Sequence, residues 1–200
     1  SRGSHLAAFV EPLLRAGFAV ALFDLPAHGD SGGSLSSPVH AGRALAALAE
    51  HLGPIHGVIA HSLGSAASLW AFAHGLSVNA SVHLCGPSSL SPMLQLQALG
   101  HGLTAEEQRE FSTWVEQHIG IPPAEMNLPA LKHGLRHPAL IMHDPTDRVV
   151  PFIASADLHR HWADSELVEL EGLGHRRILT DPQVIARSCA LLSSTHKAGD

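Results

Sequence analysis

The sequence is poor in several residue types that other protein classes require. It holds two cysteines, Cys85 and Cys189, which are too few for a disulfide framework. Lys and Arg number 12 against 18 Asp and Glu, so the basic surface of a nucleic-acid-binding protein is lacking. No run of about 18 apolar residues occurs, which argues against a membrane-spanning helix. The first residues also show no signal-peptide pattern, which argues against secretion. We therefore expect a cytoplasmic protein with neither a nucleic acid nor a membrane as partner.

Histidine, in contrast, is abundant, with 17 residues in a chain of 200. The histidines show no metal-binding motif: no His-Glu-x-x-His pattern occurs, and His159 and His161 are two residues apart, which places them on different sides of a helix. We interpret most of them as surface residues and expect no metal. With 45% hydrophobic residues, the composition is typical of one globular domain.

Short apolar runs alternate with segments of helical periodicity along most of the chain. The predicted strands cover residues 18–23, 56–60, 80–84, 139–142 and 167–170, with a predicted helix before or after each. This alternation predicts an α/β fold, in which a mostly parallel sheet carries helices on both faces.

The segment 87–136 interrupts this alternation. Thr104 opens a helix with capping-box spacing, and Pro122-Pro123 ends it. We predict a small helical lid here, inserted between a first core part (1–86) and a second core part (137–200) of one domain.

Three loops that follow predicted strands carry the residue types of nucleophilic catalysis. Ser62 stands between a strand and a helix, flanked by small residues at Ala60 and Gly64. Carboxylates follow the strand at 139–142, and His175 follows the last strand. The carboxyl ends of parallel strands meet at one edge, and a serine nucleophile needs a base that a carboxylate orients. The alternative for Ser62 is an ordinary helix N-cap serine.

Four motifs in this order resemble the α/β-hydrolase family: residues 23–31, 61–64, 143–151 and 172–175. The resemblance implies that Ser62 is the nucleophile, Asp147 the acid and His175 the base, and that no cofactor or metal is needed. Asp144 is the alternative acid, although the family pattern has glycine there and the acid three residues later.

The resemblance also suggests the residues around the reacting atoms. It implies that the backbone N–H of Leu63 stabilises the oxyanion. His61 and Trp114 are candidates for contacting the substrate, with Trp114 on the predicted lid.

The function that the resemblance implies is a serine hydrolase of carboxylic esters or related acyl substrates, which acts on a small molecule through an acyl-enzyme. Two alternatives stay open. One is a non-catalytic ligand-binding or scaffold protein of the same fold. The other is a thioester or carbon–carbon hydrolase with the same triad.

The family layout further implies strands ahead of the first helix, one of which lies between the strands predicted at 18–23 and 56–60. Either the sequence is a fragment, or these two strands pair directly. In the first case we expect self-association through open strand edges. Loss of one oxyanion donor, which typically costs about 10²–10³ in kcat, would also weaken ester hydrolysis.

Overall fold

A four-stranded parallel sheet lies at the centre of the protein. The computed structural model describes residues 2–196. Its strands are β1 (Gly57–His61), β2 (Ala80–Leu84), β3 (Ala139–His143) and β4 (Ser165–Glu169), in the spatial order β1-β2-β3-β4. Every neighbouring pair is parallel. The predicted α/β class with a parallel sheet is therefore confirmed.

Helices cover both faces of this sheet. One face carries α1 (Ala7–Arg15) and α9 (Pro182–Ser194), whose apolar residues join those of the sheet in one core cluster. The other carries α2 (Pro38–Leu52), α3 (Leu63–Ala73) and α7 (Ile153–His161). Among residues 2–196, no helix is both long and apolar enough to cross a membrane.

The apolar pattern of β3 explains why both faces are covered. Ala139 and Ile141 pack with α3 and α7, whereas Leu140 and Met142 pack with α1 and α9. Successive side chains of a strand point to opposite faces, so a strand that is apolar at every position has to be buried on both. All five residues of β3 are buried.

The segment 87–136 folds into short helices. They are α4 (Leu90–Gly100), α5 (Ala105–Ile119), a 3₁₀ turn (Pro123–Met126), α6 (Leu128–Leu131) and a second 3₁₀ turn (Lys132–Gly134). Thr104 forms the capping box of α5 with Glu107, which explains where α5 begins. The last turn packs on the carboxyl end of α3, where a Cβ on Gly134 would lie 2.4 Å from the backbone nitrogen of Ala73.

The strand predicted at 18–23 is wrong. Residues 19–23 make no backbone hydrogen bond within the described chain, and the sheet begins at β1. A cavity of about 630 Å³ separates this segment from β1, and side chains of α1 and α2 line it. The segment is apolar enough for a strand, but a strand needs a neighbour at hydrogen-bonding distance. The two segments have not paired directly.

The edge of β1 that faces the cavity is open. The N–H of Ser62 donates to the Leu84 carbonyl at 3.0 Å, so the peptide of Ser62 faces β2. Peptide groups alternate along a strand, so Gly57, Ile59 and His61 direct theirs at the cavity. This accounts for the partial burial of β1, in which only Ala60 and His61 are fully buried.

A string of buried polar side chains joins α3 to the sheet. His83 contacts Oγ of Ser65 at 2.7 Å through Nδ1 and Oγ of Ser81 at 3.0 Å through Nε2. Ser81 in turn contacts Nε2 of His137 at 2.9 Å. Burial lowers the pKa of His83 to about 3 and that of His137 to about 4, so both are neutral at pH 7.

Acid should therefore destabilise the fold between about pH 6.5 and pH 4. Unfolded histidines take up protons near pH 6.5, whereas folded His83 and His137 do so only near 3 and 4. The unfolded state binds more protons in this window, so stability that is complete above pH 6.5 is lost as the pH falls. Urea unfolding at pH 7, 6 and 5 should give steadily lower midpoints. The dependence should be shallower in His137→Gln, and equal midpoints at pH 5 and 7 would contradict the prediction.

The open edge of β1 and the unpaired segment 19–23 lead us to expect that copies of the chain associate through them. An added positive charge there should weaken this association. Ala21 lies exposed in the unpaired segment, and Ala16 lies exposed just after α1. Lysine at an open edge disfavours pairing with another chain. In light scattering, Ala21→Lys should lower the apparent mass at a given concentration, and Ala16→Lys, which adds the same charge elsewhere, should not. A monomeric parent chain, or equal effects of the two variants, would show that these edges do not associate.

Candidate active site

Ser62 lies on a sharp turn between β1 and α3. Its φ of 54° and ψ of −123° fall where residues other than glycine are rare, so the backbone is strained. Ser62 occupies the N-cap position of α3, but its side chain makes no capping hydrogen bond. Capping therefore does not account for this serine. The turn instead holds its hydroxyl at the carboxyl edge of the sheet.

The N–H of Leu63 lies next to this hydroxyl in the chain. Leu63 is the first residue of α3, and the first N–H groups of a helix have no acceptor within it. Such a group at a helix N-terminus can stabilise negative charge on a ligand oxygen.

A buried carboxylate orients His175 on the loop after β4. Nδ1 of His175, in the short helix α8 (Gly174–Arg177), donates to Oδ2 of Asp147 at 2.7 Å. Oδ1 of Asp147 accepts the N–H groups of Val149 at 2.7 Å and Val150 at 3.2 Å. Burial would raise the pKa of Asp147, but these donors outweigh it and lower the pKa. Asp147 is therefore ionised at neutral pH.

The other carboxylate, Asp144, makes different contacts. It accepts the N–H of Thr146 at 2.7 Å through Oδ1 and the N–H of Gly174 at 2.6 Å through Oδ2. The structure pairs Asp147 with the imidazole of His175, whereas Asp144 binds the backbone beside it.

His61 connects the serine to the histidine loop. Nε2 of His61 donates to the carbonyl of His175 at 2.7 Å, and the two rings lie 4.7 Å apart. His175 is therefore on the same sheet edge as Ser62. Oγ of Ser62 has no hydrogen-bond partner within residues 2–196. Catalytic hydrogen bonds are often long before a substrate binds.

Trp114 lies on α5 with 48% of its surface exposed. Its ring stacks on Phe111 and lies against His118 of the same helix, with centroids 6.4 Å and 3.9 Å away. Both of these ring contacts lie within α5, and contact of Trp114 with a substrate stays a prediction.

His143 is not among the site residues predicted from the sequence, and it lies directly behind Asp147. Its ring is buried, accepts from Oγ of Ser155 at 2.7 Å and donates through Nε2 to the Val150 carbonyl at 3.0 Å. The same Nε2 lies 3.4 Å from Oδ2 of Asp147. The signal in the sequence is its position as the last residue of β3, one residue ahead of the carboxylate loop.

One group of side chains has the composition of a metal site. Cys85, His143 and Asp147 each have a potential ligand atom within 4.8 Å of the others. These atoms are engaged otherwise, because His143 donates to Val150 and Asp147 accepts from His175. Burial also raises the pKa of Cys85 to about 12, so its thiol is neutral. The group fits a metal poorly and is better described as the buried support of Asp147.

Residues 1–188 match the alpha/beta hydrolase family, so the chain belongs to this family. A search of curated proteins finds no match to the chain. The family resemblance that the sequence motifs predict is confirmed.

Solved structures share this fold at low sequence identity. A monoacylglycerol lipase from Paleococcus ferrophilus is 20% identical, with a TM-score of 0.70 over 98% of this chain and 91% of that one. A thermophilic esterase from Thermogutta terrifontis is 17% identical, with a TM-score of 0.69 over 98% and 87%. A bromoperoxidase from Bacillus anthracis is 16% identical, with a TM-score of 0.67 over 96% and 88%. At such identities these likenesses concern the fold alone.

Proposed function

We propose that the protein is a serine hydrolase of carboxylic esters or related acyl compounds, with Ser62 as nucleophile, His175 as base and Asp147 as acid. The observation that carries the proposal is the 2.7 Å hydrogen bond from His175 to Asp147, on the sheet edge where Ser62 has a strained backbone. A base held by a buried carboxylate, on the same sheet edge as a serine on a strained turn, is the arrangement from which nucleophilic acyl transfer can start. An esterase and a lipase among the structural neighbours support the same class of reaction.

In the proposed reaction, Nε2 of His175 takes the proton of the Ser62 hydroxyl while Oγ bonds to the carbonyl carbon. The N–H of Leu63 stabilises the resulting oxyanion. The ester bond then breaks, and the departing alcohol takes the proton from Nε2. Water adds to the acyl-enzyme by the same route: it gives one proton to Nε2 and its oxygen to the acyl carbon. The carboxylic acid leaves, and the proton returns to Oγ of Ser62.

The helical segment 87–136 is proposed to act as a lid. It leaves the sheet just after the carboxyl end of β2, on the edge where Ser62 lies. Large apolar side chains on it stay about half exposed, and these are Leu96, Leu99 and Trp114. A lid with such side chains could contact the acyl part of a substrate and exclude water from it.

A second candidate function is ligand binding without catalysis. The cavity beside β1 favours this function, because it offers space for a ligand. The backbone groups of β1 that face the cavity are unpaired within the described chain and are free to bind such a ligand. The fold hosts proteins of many functions, so the fold alone does not decide between the two.

A fluorophosphonate probe should separate these two functions. It should form a covalent adduct with Ser62, and Ser62→Ala should abolish both labelling and most turnover of a short-chain ester, with kcat reduced about 10⁴–10⁶-fold. Ser68→Ala is the matched control, since Ser68 is on the same helix and donates to the Gly64 carbonyl at 2.8 Å. A folded parent chain that neither labels nor turns over ester would favour ligand binding.

Ester hydrolysis should increase with pH between 5 and 8. Asp147, whose pKa is lowered, is ionised over this whole range, and a general base accepts the Ser62 proton only in its unprotonated form. Asp147→Asn should lower kcat about 10⁴-fold, because an amide does not stabilise the imidazolium that forms. A rate that is flat from pH 5 to 8 would contradict a histidine base.

A further inference from the structure

The backbone of His175 is held from both sides by residues that are not part of the triad. On one side the N–H of Gly174 donates to Asp144 at 2.6 Å. On the other, the carbonyl of His175 accepts from Nε2 of His61 at 2.7 Å. Building on the proposed function, we infer that Asp144 and His61 are positioning residues that fix the imidazole of His175 between Asp147 and Ser62.

The carboxylate of Asp144 that binds the N–H of Gly174 has no positively charged partner in the described part of the chain. The carboxylate is fully buried, and no Lys, Arg or His within residues 2–196 forms an ion pair with it. Its charge is stabilised by N–H and O–H donors alone, from Gly174 and from the backbone and side chain of Thr146. Burial would raise the pKa of Asp144, but these donors hold it at about 2. A buried carboxylate is costly, and here it joins the loop after β3 to the loop after β4.

The His61 contact fixes the tautomer of that ring. A carbonyl oxygen only accepts, so the proton has to be on Nε2, and Nδ1 carries a lone pair. Burial lowers the pKa of His61 to about 4, which keeps the ring neutral in this tautomer. Nδ1 is buried and has no partner within the described residues.

An unpartnered buried nitrogen indicates that stability alone does not explain this histidine. Leaving such a group unpaired costs stability, because the nitrogen has lost its hydrogen bonds to water and gained none in the protein. The substitution His61→Leu would remove the unpaired nitrogen together with the donor to the His175 carbonyl. A purely structural residue should lose stability on this change, whereas a positioning residue should lose activity and keep stability.

Kinetics and unfolding together test this inference. In His61→Leu we expect kcat to decrease at least about 10-fold with KM within about twofold, and the urea midpoint at pH 7 to stay equal or rise. Asp144→Asn should also lower kcat, because its amide cannot accept from both Gly174 and Thr146. Thr146→Val is the control: it removes one donor to Asp144 and leaves the Gly174 bond, so kcat should stay close to that of the parent.

Nuclear magnetic resonance of the ¹⁵N-histidine-labelled chain gives a readout that does not depend on activity. The Nδ1–H of His175, assigned by its loss in His175→Asn, should exchange with water at least about 10-fold faster in His61→Leu and Asp144→Asn than in the parent or in Thr146→Val. This holds even if the chain hydrolyses nothing, so failure of the proposed function is distinguishable from failure of this inference.

Unchanged exchange and unchanged kcat in a folded His61→Leu would overturn the inference. So would a Thr146→Val variant as impaired as Asp144→Asn, since the Gly174 bond would then not be the cause. An increase in KM without a decrease in kcat would instead assign His61 to substrate contact. If Asp144→Asn does not fold, His61→Leu alone still tests the inference, because a buried leucine is compatible with folding.

Discussion

The site depends on the parallel pairing of β1, β2, β3 and β4. In this arrangement all four strands end at the same edge of the sheet, and each catalytic candidate lies in or just after such an end. Ser62 follows β1, Asp147 follows β3 and His175 follows β4. The three are separated by up to 113 positions in sequence, and backbone hydrogen bonds between strands bring their loops together. Contacts between the side chains then set their final orientation.

Buried polar groups then fix each loop. Asp147 accepts from His175 and from two backbone N–H groups behind it, and His143 closes its far side. The hydrogen bonds from Ser65 through His83 and Ser81 to His137 join the helix that follows Ser62 to β2. Most of these groups are buried and hydrogen-bonded, and the net stabilisation from each hydrogen bond is modest because water would bond the same groups in the unfolded chain. These hydrogen bonds mainly determine the loop conformation. Any other conformation would leave buried polar groups unpaired, which costs free energy.

The sequence was sufficient to predict the parts that depend on local pattern. The positions of β2 and β3 follow from short segments rich in apolar residues, and α5 begins where its capping box predicts. It also predicted that Ser62 and His175 lie on one edge, because strands that alternate with helices run parallel and end at the same edge of the sheet. The resemblance favoured Asp147 over Asp144, and the contact with His175 agrees with that preference.

The sequence could not show contacts that depend on side-chain orientation across loops. The rotation of the His61 ring towards the His175 carbonyl and the bond from Gly174 to Asp144 involve residues far apart in the chain. The strand predicted at 18–23 was wrong for a related reason. Its apolar residues satisfy the pattern of a strand, but a strand is defined by its neighbour, and periodicity says nothing about whether a neighbour is present.

The cavity beside β1 and the geometry of the site are physically connected through His61. This residue lines the cavity, ends the strand with the open edge, and holds the carbonyl of His175. Its backbone N–H and carbonyl point into the cavity, while its ring points to the loop that carries His175. A segment that paired with the edge of β1 would restrict the backbone of His61 and, through its ring, the position of His175. The hydrogen bond from His61 to the His175 carbonyl is thus the physical link between the edge of β1 and the loop after β4.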